Sequence, residues 1–199
     1  GKLIQLLDNS DMKIVSDAAI ALGEIEAVEA VNPLAELMQI HGGDIARVSI
    51  AALEKIGNRN AVSALIIASE TMILDIALNA IEGLGRIKSF ECVEFLSGNL
   101  QNKNADIAVA SANSLGQIGD KSAIEALIAA SKSKNEELWQ ATLKALESLG
   151  YSPKTVTVQQ DVDEQPEVVS EVESSAVPEP ELTAEFETET QPDPEPERV

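Results

Sequence analysis

The chain has 199 residues, with 34 acidic side chains against 14 basic, one cysteine and one histidine, a formal net charge of -20 and a pI near 4.2. Nucleic-acid affinity rests on clustered Lys and Arg neutralising phosphates, so this balance excludes a nucleic-acid binder and, equally, electrostatic attachment to an anionic membrane. Apolar stretches fall well short of the ~20 residues that span a bilayer, no charged and then apolar leader opens the chain, and the lone Cys92 has no intramolecular disulfide partner, so a cytoplasmic protein is expected.

Composition breaks sharply near residue 150. Residues 1–150 hold 20 acidic and 12 basic side chains, whereas residues 151–199 hold 14 and 2; seven of the eight prolines lie at or beyond Pro153, and no glycine follows Gly150. This predicts a folded domain over 1–150 and an acidic, disordered tail over 151–199, because a Pro- and Glu-rich stretch with Phe186 as its one Phe or Trp cannot bury enough apolar surface to offset chain ordering.

The folded part is a tandem repeat. Leu3, Leu34, Leu65, Leu96 and Leu127 recur every 31 residues, as do Leu22, Leu53, Leu84, Leu115 and Leu146. A period in this range means stacked supersecondary units, hence a solenoid. Leu3 falls in a helix-interior column, so residues before about 10 read as a partial B helix, and the first residue being Gly, a cut upstream repeat is expected. Ile14, Ala18, Leu22 and Ile25 then form the apolar stripe of a first A helix. It recurs as Ile45, Ser49, Leu53, Ile56, as Ile76, Ala80, Leu84, Ile87, as Ile107, Ser111, Leu115, Ile118, and as Leu138, Thr142, Leu146, Leu149. The small second column suits close approach of neighbouring helices. B-helix stripes follow at Val31, Leu34, Met38; Val62, Leu65, Ser69; Val93, Leu96, Leu100; and Ile124, Leu127, Ser131.

The A-to-B joint repeats too. Asn58, Ser89 and Asp120 share one column and predict helix N-caps, which Ala27 in the first repeat cannot supply. Gly57 and Gly119 precede the caps, with Gly150 in the same column, and predict left-handed helix ends. Asp44, Asp75, Asp106 and Glu137 open the A helices and complement the positive helix end.

The stretch Ser111 to Ala129, SANSLGQIGDKSAIEALIA, resembles the short HEAT repeat of the phycobilisome-lyase type: an alanine-rich helix, a Leu-Gly-x-Ile-Gly-Asp turn, then a helix opening Ala-Ile-x-x-Leu. The resemblance covers residues 1–150 and implies an all-α fold, an α/α superhelix of antiparallel helix pairs in the HEAT/armadillo manner. Relatives commonly carry Arg just after the residue opening helix A; here that column reads Val15, Ala46, Ala77, Ala108 and Trp139. The paired His-Glu steps of the deoxyhypusine hydroxylase branch are absent.

No catalytic, cofactor or metal residues stand out. His41 follows a B helix and precedes Gly42-Gly43, which suits a helix end. Cys92 shares its column with Ala30, Ala61 and Ala123 and is expected to be a small buried residue. Phe95 is expected to pack on the next hairpin and Trp139 to cap the stack, with Tyr151 beside it. In resembling solenoids the B helices line the concave face. The B positions off the stripe place Glu36, Ser63, Ile67, Glu70, Glu94 and Glu125 there, an acidic surface centred on an apolar residue, which fits a basic or amphipathic segment of a protein partner. The expected function is therefore a non-enzymatic interaction scaffold; a phycobilin-lyase-like enzyme or lyase subunit, and a structural stretch of a longer solenoid, are the alternatives. Leu182 and Phe186, four apart in the tail, are expected to offer one turn of an anchor helix at most.

Overall fold

The computed structural model describes residues 1–151, so the expectations placed on the tail, Leu182 and Phe186 included, lie outside the described residues. Within 1–151 the regular elements are all helical. A short α1 (Lys2–Gln5) runs into a 3₁₀ turn at Leu6–Asp8. Five A helices follow in alternation with four B helices. The A helices are α2 (Met12–Glu24), α4 (Gly43–Ile56), α6 (Leu74–Ile87), α8 (Ala105–Ile118) and α10 (Glu136–Ser148). The B helices are α3 (Val31–Ile40), α5 (Arg59–Ser69), α7 (Val93–Asn99) and α9 (Ile124–Ala130). Three of the B helices are entered through 3₁₀ turns, at Val28–Ala30, Phe90–Cys92 and Lys121–Ala123.

Packing follows the period. Each A helix stacks on the next in one layer, while α3 lies against α5 and α7 against α9 in the other; the core between them is a single cluster. The two leucine columns sit at its centre: Leu22, Leu53, Leu84, Leu115 and Leu146 on the A side, Leu34, Leu65, Leu96 and Leu127 on the B side, all essentially without solvent contact. The stripe departs from expectation at the first repeat. Ile14 is 38 % exposed and Ile25 64 %, while Val15 is fully buried; α2 packs on α4, and otherwise only on the short α1 and the turn at Leu6–Asp8.

The small column Ala18, Ser49, Ala80, Ser111 and Thr142 is buried, and the A helices also approach closely at glycines. A Cβ on Gly23 would stand 2.8 Å from the Ala52 Cα, and one on Gly116 would stand 3.0 Å from the Ala145 Cα. At the α4/α6 joint the sizes reverse: Glu54 takes the column of Gly23, and its carboxylate lies over Gly83.

Helix ends obey local chemistry. The Asn58 Oδ1 accepts from the Ala61 N–H at 2.8 Å, the Ser89 Oγ from Glu91 at 3.3 Å and the Asp120 Oδ1 from Ser122 at 2.9 Å; Ala27 makes no such bond. Gly57, Gly119 and Gly150 have φ of 55°, 80° and 74°. The same column is left-handed in every repeat, including Glu26 at 49° and Lys88 at 57°, where a Cβ is unfavourable. Lys88→Gly is therefore expected to raise stability by about 0.5–1 kcal/mol. A urea midpoint that moves up with unchanged slope will show this; a fall would mean that Lys88 is held by contacts stronger than its backbone strain.

At the far end, Trp139 is partly buried with its Nε1 enclosed and without a hydrogen-bond partner, and Tyr151, beyond α10, donates its N–H to the Leu146 carbonyl at 2.9 Å. Phe95 is partly buried and packs on the core.

Candidate functional site

Ion pairs across successive repeats lie mostly on the A side, with one, Arg59 to Glu91 at 2.7 Å, between the entries of α5 and α7. Lys55 bonds Glu24; the Arg86 Nε donates to Glu54 at 2.8 Å and its other nitrogen lies 3.5 Å from Glu82; Arg47 sits 3.6 Å from both Asp44 and Asp75. Hydroxyls add to this ladder, the Ser114 Oγ donating to the Ile81 carbonyl at 2.9 Å and the Ser148 Oγ to that of Gly116 at 3.0 Å. A polar cleft of about 360 Å³ between α6, α8 and α10, lined by Arg86, Asn113, Gln117 and Lys144, belongs to the same system. Exposed pairs of this kind contribute about 0–1 kcal/mol each.

On the B side, Glu36, Glu70, Glu94 and Glu125 are all exposed and, among the described residues, none forms a salt bridge. Ser63 is exposed as well, its hydroxyl turned back onto the Arg59 carbonyl at 3.1 Å. Ile67 is 59 % exposed. Positions four apart on a helix share a face, so the columns of Asn32 and Glu36 repeat as one surface along α3, α5, α7 and α9, while the column of Gln39 passes to the helix end at Glu70 and beyond the helices at Gln101 and Lys132.

The structure gathers only some of the predicted residues. Ile67 and Glu70 line one cleft of about 300 Å³ together with Met38, Gln39, Ile73 and Ile76. Glu36 lines a second, of about 260 Å³, with Leu7, Asp8, Ile40 and His41. Ser63, Glu94 and Glu125 line neither. The B-to-A loop residues around Ile73 escaped the sequence reading because they lie outside both stripes; the run Met72-Ile73-Leu74, apolar where the two later repeats carry Lys and Asn, was the signal.

The family pattern described as HEAT repeats matches residues 74–147, and the PBS lyase HEAT-like repeat matches residues 15–39. The solenoid is built of HEAT repeats. No curated protein matches the chain. Among solved structures, a designed armadillo repeat protein in complex with peptide (KR)4 is similar at 16 % identity and a TM-score of 0.51, over 74 % of this chain and 80 % of that one. An engineered protein aligns at 21 % identity and 0.48, over 74 % and 78 %. The complex of CpcE and CpcF of phycocyanin lyase from Nostoc sp. PCC7120 aligns at 19 % identity and 0.42, over 75 % and 76 %. At these identities the likeness is one of fold.

Within this HEAT array the column that carries Arg in relatives is buried at Val15, Ala46, Ala77 and Ala108, so it serves the core here. Cys92 is buried, its Sγ 3.1 Å from the Ser89 carbonyl, and burial pushes its thiol up to about 11; at neutral pH it is protonated and a poor nucleophile. His41 ends α3 and is half-buried. Among the described residues no three His, Cys, Asp or Glu side chains are grouped to hold a metal ion, and no helix is long and apolar enough to cross a membrane.

Proposed function

We propose that this chain is a non-enzymatic interaction scaffold that receives a basic or amphipathic segment of a partner protein along its B-helix face, in the cytoplasm. The observation that carries this reading is the set of carboxylates left unpaired on the B helices. Glu24 and Glu54 on the A side are matched by Lys55 and Arg86 of the next repeat, and Arg59 pairs with Glu91 at the entries of α5 and α7, whereas Glu36, Glu70, Glu94 and Glu125 stand without a cation among the described residues. An acidic row on successive helices attracts a chain of Lys and Arg as a unit, speeding encounter and fixing orientation. The designed armadillo neighbour holds such a peptide, (KR)4, which makes it a suitable probe.

Titrating labelled (KR)4 into the full chain is expected to give salt-sensitive binding, with the Glu70→Lys/Glu94→Lys double variant weakened about tenfold or more while its melting is unchanged, since exposed substitutions stay within about 0.5 kcal/mol. Equal binding by parent and double variant would overturn the reading. Loss on deleting 151–199 instead would assign recognition to the tail.

A lyase-like role is the second reading, and the match of residues 15–39 to the PBS lyase HEAT-like repeat favours it. It separates cleanly from the first: a bilin pigment added to the chain would change its absorption on binding, which a protein-binding scaffold would not cause.

A further inference from the structure

Six large apolar side chains left in solvent, Met12, Ile40, Ile67, Met72, Ile73 and Leu74, lie at B-helix ends, in B-to-A loops or at A-helix starts of the first 74 residues, and Met72 is 99 % exposed; Ile25, Val28 and Phe90 are exposed at the A-to-B joints instead. The two B-side clefts open among those six and are equivalent by the repeat. Leu7, Asp8, Glu36 and Leu37 of one stand 31 residues before Met38, Gln39, Ile67 and Ala68 of the other. Each combines an apolar lining with a carboxylate, Asp8 and Glu36 in the first and Glu70 in the second, and neither is lined by Lys or Arg. Later repeats lose the combination. The columns of Ile67, Glu70 and Ile73 read Gly98, Gln101 and Asn104, then Ala129, Lys132 and Asn135.

We propose that these two clefts are paired anchor subsites for an extended partner segment carrying two aliphatic side chains three residues apart, interleaved with Lys or Arg. The proposal rests on the B-face reading above and adds the anchors and their register. Neighbouring helices pack about 8–10 Å apart, and an extended polyproline-type strand, at 3 residues per turn and about 3.1 Å each, returns a side chain to the same side after about 9 Å. Residues i and i+3 of such a segment therefore meet successive clefts. A second copy of the chain is disfavoured as occupant because it would bring Asp8, Glu36 and Glu70 against their own kind, and the chain's own tail, with 14 acidic and 2 basic residues, is disfavoured for the same reason.

Three labelled hexapeptides decide it by fluorescence anisotropy against the full chain: KLKKLK, the spacing variant KLKLKK and the anchorless KGKKGK. KLKKLK is expected to bind about tenfold more tightly than KGKKGK, with KLKLKK between them. The Ile67→Ser/Ile73→Ser variant, altered at exposed positions of the second cleft alone, is expected to reduce that preference to that of a single anchor without changing its affinity for KGKKGK. Equal affinity for KLKKLK and KGKKGK would overturn the anchor subsites while leaving the acidic face standing, and no binding of either would overturn both. Concentration-dependent sedimentation that disappears in the Ile67→Ser/Ile73→Ser variant would assign the clefts to a second copy, against the proposal.

Discussion

Leu84→Ala is expected to cost about 2–5 kcal/mol, the range for emptying a packed leucine site that cannot collapse. Leu84 is fully buried in α6, which packs on α4, α5 and α8, so its cavity is enclosed by three helices. The equivalent test at the edge is Leu3→Ala. Leu3 is only partly buried in α1, and its loss is expected to cost well under half as much. In an array where each repeat touches only its neighbours, stability is a sum of repeat and interface terms, so a central defect removes two interfaces and a terminal one removes little. Urea unfolding of both variants measures the difference; equal costs would contradict nearest-neighbour stacking.

Gly23→Leu is expected to destabilise by about 1–3 kcal/mol through overpacking. A Cβ there meets the Ala52 backbone at 2.8 Å, and backbone cannot rotate away as a side-chain tip can. The control is Gly98→Leu. Gly98 is exposed in α7 with nothing within 4 Å of its Cβ position, so exchanging glycine for a good helix former is expected to stabilise by about 0.5–1 kcal/mol. Calorimetric melting of the pair tells contact from propensity: two losses would mean that glycine is needed at Gly98 for a reason other than space.

Much of this architecture was legible because it repeats. The leucine columns, the caps at Asn58, Ser89 and Asp120 and the glycine ends each rest on side chains of one chemistry doing one local job, and a 31-residue comparison exposes them. Less was legible where a column keeps its conformation but changes its residue. Lys88 and Glu26 are left-handed like Gly57, although their chemistry alone argues otherwise, and only the shared column betrays them. The close approaches at Gly23 and Gly116 were not legible, because which small residue meets the next backbone depends on the crossing of the A helices, a tertiary property. For the candidate site, exposure of Glu36, Ile67 and Glu70 followed from the amphipathic pattern, whereas the clefts did not. They join a B helix, its predecessor and the following loop, segments some 30 residues apart that periodicity places in one column without showing the gap between them.

The central claim is that the B-helix face, and not the A face, is the recognition surface. Amide chemical-shift mapping during titration with (KR)4 tests it most directly. The account predicts shifts concentrated in α3, α5 and α7, around Glu36, Ile67, Glu70 and Glu94, with the amides near the paired Glu24, Glu54 and Glu82 unmoved. Shifts confined to the A helices, or none at saturating peptide, would contradict it.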